Sequence, residues 1–573
     1  MDALNASAQA KGKESAEALV SQEAKASAGQ AGASLAEFGA LGRWLLLLAA
    51  ITLVCVIVRR DIGRGEFDYN VDEGEHAVTG LFMADTLRDM PLRHPVEYAY
   101  AYYAQYPGVA VFHWPPLFHV IEGLSFLLLG PSAVSARLTV ILFAILLLYQ
   151  WFRLVEELQD SYTAGISTAV LGLVPMVVLF EKTVMLEVPS LALGVATVRC
   201  WIRYVDRGQK TDLYRTALWL SAALLCKQTS VYLLVFCALT LLVTRKWERI
   251  WRREALQAAG LVTALAGPFL LLMLLLQGKA MASDLGSHRL VGMERLTYSL
   301  RVLPASFSPG LLVLAVLGLL FARRSSRQGQ TAIMVCWLVA GYLTLAFFGQ
   351  RDPRFGIYLF PPLVYVAVGL MTQFFRVPRL RLAMRGIAVA LVALLALPAW
   401  NQQRPYISGY ESVAAKLVNT YHSGIVLFDG NVPGNFVFYM RALDPKRHFL
   451  VLRKALYAHD IRSSERSEEL LHSREELTDL FRRDGIRFVV VSKNMPVHFN
   501  VQRILREQLQ SDQFQLLGSF PIASNEADWK GESLLVYENK QWSPPADKVL
   551  TVRMLTLPHD IVVPMQKFAF EQQ

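Results

Sequence analysis

Apolar and polar positions fall in blocks along this chain. The first forty residues hold mainly Ala, Ser, Gly, Lys and Glu, with almost no large apolar side chain. Such a segment cannot bury enough surface to offset the entropy of ordering it, so residues 1–40 read as a disordered cytoplasmic tail. Forty polar residues ahead of the first apolar run also argue against a signal peptide. Apolar runs then follow at 41–58, 133–152, 162–180, 188–204, 214–226, 228–244, 256–277, 309–322, 332–349, 355–372 and 383–400. A helix needs about 20 apolar residues to cross the hydrocarbon core, and the pattern predicts eleven spans.

One further run, 116–130, opens on a Pro pair and carries His119 and Glu122. The distribution of Lys and Arg decides whether it spans. If it lies along the surface and the N-terminus is cytoplasmic, 17 basic residues fall in the inner loops and 8 in the outer loops after the first. The inner clusters are Arg153, Arg203 to Arg215, Arg245 to Arg253, Arg323 to Arg327, and Arg376 to Arg385. Making 116–130 a span would turn all five clusters outward, against the positive-inside rule. The run therefore reads as a juxtamembrane helix. The long first loop, 59–132, and residues 401–573 then both face away from the cytoplasm.

Beyond Pro405 the pattern changes. Ile425–Phe428, Phe449–Leu452, Phe488–Val491, Phe514–Leu517 and Leu534–Tyr537 read as buried strands. Glu411–Val418, Arg474–Arg483 and Gln502–Leu509 read as helices between them, and Asp429-Gly430-Asn431 reads as a turn. The expected architecture is a polytopic α-helical membrane domain over 41–400, followed by an extracytoplasmic α/β domain over 401–573.

Composition narrows the class. Hydrophobic residues make up 54% of the 573 positions and charged residues only 18%, where a soluble chain carries roughly a quarter charged. The net charge of +10 sits in loops as a topology signal and does not point to nucleic acid. All five cysteines (Cys55, Cys200, Cys226, Cys237 and Cys336) lie in or beside apolar runs, which argues against a disulfide framework or a Cys-ligated metal.

The chemistry-bearing residues gather in the outer loops. Asp72-Glu73-Gly74-Glu75-His76 opens the first. Asp72 either caps the helix that follows or works as a general base, raised in basicity by a like-charged neighbour and the low-dielectric surface. Phe112-His113-Trp114-Pro115-Pro116-Leu117 leads into the 116–130 helix, and Arg137 stands at the start of the second span. Arg137 either snorkels or binds an anionic head group. Glu187 lies among apolar residues at a membrane boundary, where a carboxylate is costly unless paired or wet. Lys227 sits in a tight turn inside nearly thirty apolar residues, and a buried ammonium needs an anion such as a lipid phosphate. Arg351 and Arg354 occupy another tight outer turn.

Their order is a DE pair, a PPL helix, a G–x6–RL segment, an acid in the second outer loop, a Lys turn, and PRFxxYLFPP from Pro353 to Pro362. In that order the chain resembles the GT-C glycosyltransferases, specifically the dolichyl-phosphate-mannose protein mannosyltransferases and the bacterial aminoarabinose transferases of lipid A, over about residues 41–400. The resemblance implies a membrane enzyme that moves a sugar from a polyprenyl-phosphate donor to an acceptor hydroxyl on a lipid, glycan or protein. It makes Asp72 the base with Glu73 beside it and Glu187 the second-loop acid. It places Arg137, Lys227, Arg351 and Arg354 at or near the donor phosphate. Trp114 replaces the Lys usual before the Pro pair. His113 replaces a residue often acidic and metal-associated, so a divalent metal at His113 is the one cofactor raised. The expected location is the inner membrane, with the N-terminus inside. A transporter or flippase using the same charges is the alternative; it calls for charges at mid-membrane and repeat symmetry, whereas these charges cluster at one surface.

Overall fold

A computed structural model of the protein describes residues 39–68, 71–110, 113–287, 292–322, 328–348, 352–373, 379–459, 467–555 and 559–568. The tail over residues 1–38 lies outside the described residues, as do Arg323, Arg324, Arg327, Arg351 and Arg376.

Every one of the eleven apolar runs is built on helix, and the protein is a polytopic helical membrane protein. Among the described residues, six helices are long and apolar enough to cross a membrane: Leu41–Arg59, Ala133–Leu158, Arg253–Leu276, Gly329–Phe348, Pro353–Gln373 and Leu382–Asn401. Ser161–Gly172 with Pro175–Glu181, and Met293–Phe307 with Pro309–Phe321, bring the number to eight if each bent pair is one span. The eleven spans read from the sequence are not reached by this measure. The remaining runs form Glu187–Arg207, Lys210–Cys226 and Gln228–Val243, which are interrupted by charge or too short. The breaks have local causes. Pro175 cannot continue the preceding helix, and the chain turns by 71° there; Ser308, at φ 102°, and Pro309 mark a turn of 116°. Leu271, Leu274, Leu275, Leu394 and Leu397 are exposed large apolar side chains on the spanning helices, as lipid-facing positions must be.

Between the first two spans the chain forms three short helices, Val71–Asp89, Pro95–Gln105 and Leu117–Leu129. The last is the run placed along the surface, and it packs lengthwise on Val71–Asp89.

The C-terminal part is an α/β domain. Its five-stranded sheet runs, in spatial order, Phe449–Leu452, Gly424–Asp429, Ile486–Ser492, Ser533–Asn539 and Phe514–Pro521. The first three strands are parallel and the last two are antiparallel additions. Alternation sorts the two faces: Val426, Phe428, Val451, Phe488 and Val490 belong to a core continuous with the membrane helices. Ile425, Leu427, Leu450, Val489 and Val491 face a second core under the Arg474–Arg483 and Asn500–Gln508 helices. The Asp429-Gly430-Asn431 turn leads into a helix absent from the sequence reading, Pro433–Leu443.

That helix seats the domain on the Val71–Asp89 helix. A Cβ at Gly74 would fall 2.6 Å from Asn435 Oδ1 and 2.9 Å from the Gly434 carbonyl carbon, so the two backbones meet only because neither carries a side chain there. Farther along, buried Arg441 forks onto Asp85, Nη2 to Oδ1 at 2.6 Å and Nε to Oδ2 at 2.8 Å. Glu66 accepts from the backbone N–H groups of Gly409, Tyr410 and Glu411 at 2.8, 3.2 and 3.0 Å, capping the Tyr410–Tyr421 helix from the far side of the junction.

Candidate active site

Four elements distant in sequence converge at one end of the membrane domain. The Val71–Asp89 helix brings Asp72 in its first turn. The Glu187–Arg207 helix brings Glu187 at its first residue, and Lys227 ends the Lys210–Cys226 helix. The turn Pro353–Leu359 brings Arg354. Asp72 Oδ2 accepts from Arg354 Nη1 at 2.7 Å. Arg354 Nε lies 2.9 Å from Asp352 Oδ2 and 3.6 Å from Glu187 Oε1. The same Glu187 oxygen accepts from Lys227 Nζ at 2.5 Å. Phe355 lies beneath both cations, 5.1 Å from Lys227 Nζ and 5.4 Å from the Arg354 guanidinium carbon.

Burial grades across the cluster. Glu187 is sealed and Lys227 nearly so, whereas Asp72 and Arg354 each keep about a quarter of their side-chain surface. Valence matters as much. Arg354 occupies only one Asp72 oxygen, and among the described residues Oδ1 has no hydrogen-bond partner. An ammonium has three N–H donors and a guanidinium five; Glu187 takes one from Lys227, and Arg354 Nη2 makes no bond to any of the described residues. An open carboxylate oxygen and several unspent cationic donors therefore lie within one cluster. Tyr358, inside the Pro353–Pro362 motif, ties this turn to the neighbouring helices through Ser190 Oγ and Thr229 Oγ1, both at 2.9 Å.

Of the residues singled out from the sequence, the structure brings together Asp72, Glu187, Lys227 and Arg354. Glu73 points the other way: it is 1% exposed, accepts from Val184 N at 2.6 Å and from Asp68 N, and lies 3.8 Å from Arg404. Adjacent residues on a helix diverge by about 100°, so only one of the DE pair reaches the cluster. Arg137 is likewise turned inward, donating to the carbonyls of Ile62 at 2.6 Å and of Glu66; its guanidinium braces the 61–66 segment and does not face the cluster. Arg351 lies outside the described residues.

His113 packs against Trp114, ring centroids 4.5 Å apart. Among the described residues no three His, Cys, Asp or Glu side chains gather where they could hold a metal ion. Asp72 and Glu187 face Arg354 and Lys227, so the residues present do not fit a divalent ion at this place.

The sequence reading passed over Glu75 and His76. Glu75 turns to the C-terminal domain, where Arg453 Nη1 lies 3.4 Å from its Oε1; burial pushes its carboxyl up, with Arg453 opposing. His76 pairs with His119 and lies against Trp114. The i, i+4 spacing of Asp72 and His76 was the available signal.

The sequence model of the dolichyl-phosphate-mannose-protein mannosyltransferase family matches residues 113–271, a span that holds Arg137, Glu187 and Lys227. No curated protein sequence matches the chain. Among solved structures, ArnT from Cupriavidus metallidurans bound to undecaprenyl phosphate is similar at a TM-score of 0.58 and 12% identity, covering 87% of this chain and 98% of that one. Its apo state is similar at 0.56 and 12%, covering 88% and 99%. The archaeal oligosaccharyltransferase AglB from Archaeoglobus fulgidus, in complex with an inhibitory peptide and a dolichol-phosphate, is similar at 0.50 and 11%, covering 78% and 69%. The fold is thus similar to that of these glycosyltransferase structures, and one segment of the chain, residues 113–271, matches the mannosyltransferase family model.

Proposed function

We propose that the protein transfers a sugar from a polyprenyl-phosphate carrier to an acceptor hydroxyl on the non-cytoplasmic face of the inner membrane. One observation carries this reading: the open oxygen of Asp72 and the unspent donors of Lys227 and Arg354 share one cluster, linked through Arg354 itself. A base and a phosphate-binding pair are what displacement at an anomeric carbon needs. The similarity to ArnT bound to undecaprenyl phosphate and to AglB in complex with a dolichol-phosphate supports a lipid-phosphate donor.

The step is a single displacement. The acceptor O–H gives its proton to Asp72 Oδ1 as the oxygen forms a bond to the anomeric carbon. The bond from that carbon to the phosphate oxygen breaks, and its electron pair leaves on the polyprenyl phosphate. Lys227 and Arg354 neutralise the added charge. Attack opposite the leaving group inverts the anomeric configuration. Arg354 holds Asp72 Oδ2 while facing the leaving group, so it fixes the distance between base and phosphate. Glu187 is a positioning residue that holds both cations in register. No metal takes part in this scheme. Residues 401–573 stand outside the cytoplasm and the N-terminus within it, as the Lys/Arg asymmetry requires.

The test is transfer itself. Purified protein reconstituted in vesicles is given labelled polyprenyl-phosphate hexoses and pentoses with membrane-extract acceptors. The reading expects free polyprenyl phosphate and glycosylated acceptor in equal amounts with at least one donor. No release above protein-free vesicles with any donor would overturn it.

A further inference from the structure

Below Asp72, the seam between the Val71–Asp89 and Leu117–Leu129 helices holds His76, His119 and Trp114, none of which the displacement uses. His76 follows Asp72 by four residues, which puts both on one helix face, roughly 5–6 Å apart at Cβ. Its ring is gripped from two sides. Nδ1 meets His119 Nε2 at 3.0 Å, and the ring lies against Trp114 with centroids 4.1 Å apart. His119 has no exposure and His76 almost none.

The surroundings fix the protons. His119 Nδ1 makes no well-formed hydrogen bond and has the Pro115 carbonyl as the backbone acceptor beside it. A hydrogen on that nitrogen leaves His119 Nε2 as a lone pair, so His76 Nδ1 donates to it. His76 Nε2 is then the remaining lone pair. Among the described residues it makes no hydrogen bond. Burial, then His119, Lys227, Arg354 and His113, hold the His76 imidazole well below its ordinary pKa and hence neutral.

A neutral acceptor nitrogen among cations selects its ligand. It cannot bind a phosphate oxygen, which offers no hydrogen, and Lys227 and Arg354 repel a cationic ligand. A hydroxyl group meets both conditions. The transferred sugar has to lie against Asp72 Oδ1 and beside the phosphate held by the two cations, and His76 stands one helical turn from Asp72 and near enough to Lys227 and Arg354 to feel their charge. We propose that His76 Nε2 accepts a hydrogen bond from a hydroxyl of the transferred sugar, making His76 a specificity-determining residue for the donor, held in plane by Trp114 and His119. This assignment rests on the glycosyltransferase reading above.

The test compares wild type and His76→Asn on the parent donor and on a set of donors each lacking one sugar hydroxyl. Asn keeps a donor toward His119 and has nothing at the Nε2 position. Wild type should transfer one deoxy donor about 10- to 100-fold less efficiently in kcat/KM than the parent, the usual effect of leaving a buried polar group unpaired. His76→Asn should lose that factor on the parent and treat the two donors alike. Equal discrimination in both proteins would overturn the assignment. Nitrogen-15 spectra of histidine-labelled wild type judge it without activity: His76 should be the neutral Nδ1–H form between pH 5 and 8, with Nε2 shifting when donor is added. An imidazolium or an Nε2–H form would also overturn it. If wild type transfers from no donor, the functional reading fails, and the nitrogen spectra with donor present decide the sugar contact by themselves.

Discussion

Replacing Lys227 with Met separates its structural task from its chemical one. The ammonium is buried, and its partner Glu187 has no exposed surface. Breaking a buried ion pair from one side costs about 3–5 kcal/mol, because the other charge stays in the interior. Arg354, 3.6 Å from Glu187 Oε1, offsets part of that, so Lys227→Met should cost roughly 2–4 kcal/mol. Adding Glu187→Leu removes the stranded carboxylate, and the double variant should return to within about 1 kcal/mol of wild type. Donor binding should not recover. Each charge-assisted hydrogen bond to the phosphate is worth about 1.5–3 kcal/mol, so losing even one weakens binding roughly 10- to 100-fold. The assay pairs thermal unfolding in lipid nanodiscs with polyprenyl-phosphate affinity by native mass spectrometry. A double variant restored in stability that also binds the lipid like wild type would refute the reasoning and leave Lys227 a purely structural cation.

Two further outcomes follow from the junction with the C-terminal domain. Burial pushes the Glu66 carboxyl up to about 7, although three backbone N–H groups and Glu411 also act on it. A raised acid keeps its proton longer when folded, so this contribution to stability is complete below about 4.5 and is lost as pH rises to about 7, on the order of 3 kcal/mol at most. Unfolding temperatures between pH 4.5 and 8 should fall more in wild type than in Glu66→Gln, and parallel curves would contradict the assignment. Gly74→Ala puts a methyl 2.6 Å from Asn435 Oδ1 and 2.9 Å from the Gly434 carbonyl carbon. It should displace the catalytic end of the Val71–Asp89 helix and lower transfer at least about tenfold, with both halves still protease-resistant; unchanged transfer would show that the seat does not position Asp72.

The helical architecture was legible because bilayer physics forces it into the pattern: long apolar runs become helices. The α/β domain was legible in its strands: Gly424–Asp429, Phe449–Leu452 and Ile486–Ser492 are buried on both faces, whereas Phe514–Leu517, read as a buried strand, lies at the sheet edge with Leu516 exposed. Pro433–Leu443 was hidden because Pro433-Gly434-Asn435 reads as loop, and those small residues are there to let two backbones touch. The bends at Pro175 and Ser308 turned an expected row of spans into broken ones. In the site, order along the chain pointed to Asp72, Glu187, Lys227 and Arg354. It could not separate Asp72 from Glu73, since side-chain direction on the helix depends on where that helix packs. It also could not show that Arg137 spends its guanidinium on the 62–66 carbonyls, because that partner is backbone and leaves no mark in composition.

The central claim is that Asp72 is the base, and Asp72→Asn tests it most directly. Asn keeps the size of the side chain and still accepts from Arg354, so fold and donor affinity should stay near wild type. Its amide cannot take the acceptor proton, and a positioned base contributes roughly 10²–10⁴-fold. Measured on folded, donor-saturated protein, transfer should fall at least about a hundredfold. Transfer near the wild-type rate would contradict the account and leave Asp72 a structural partner of Arg354 in the first turn of its helix.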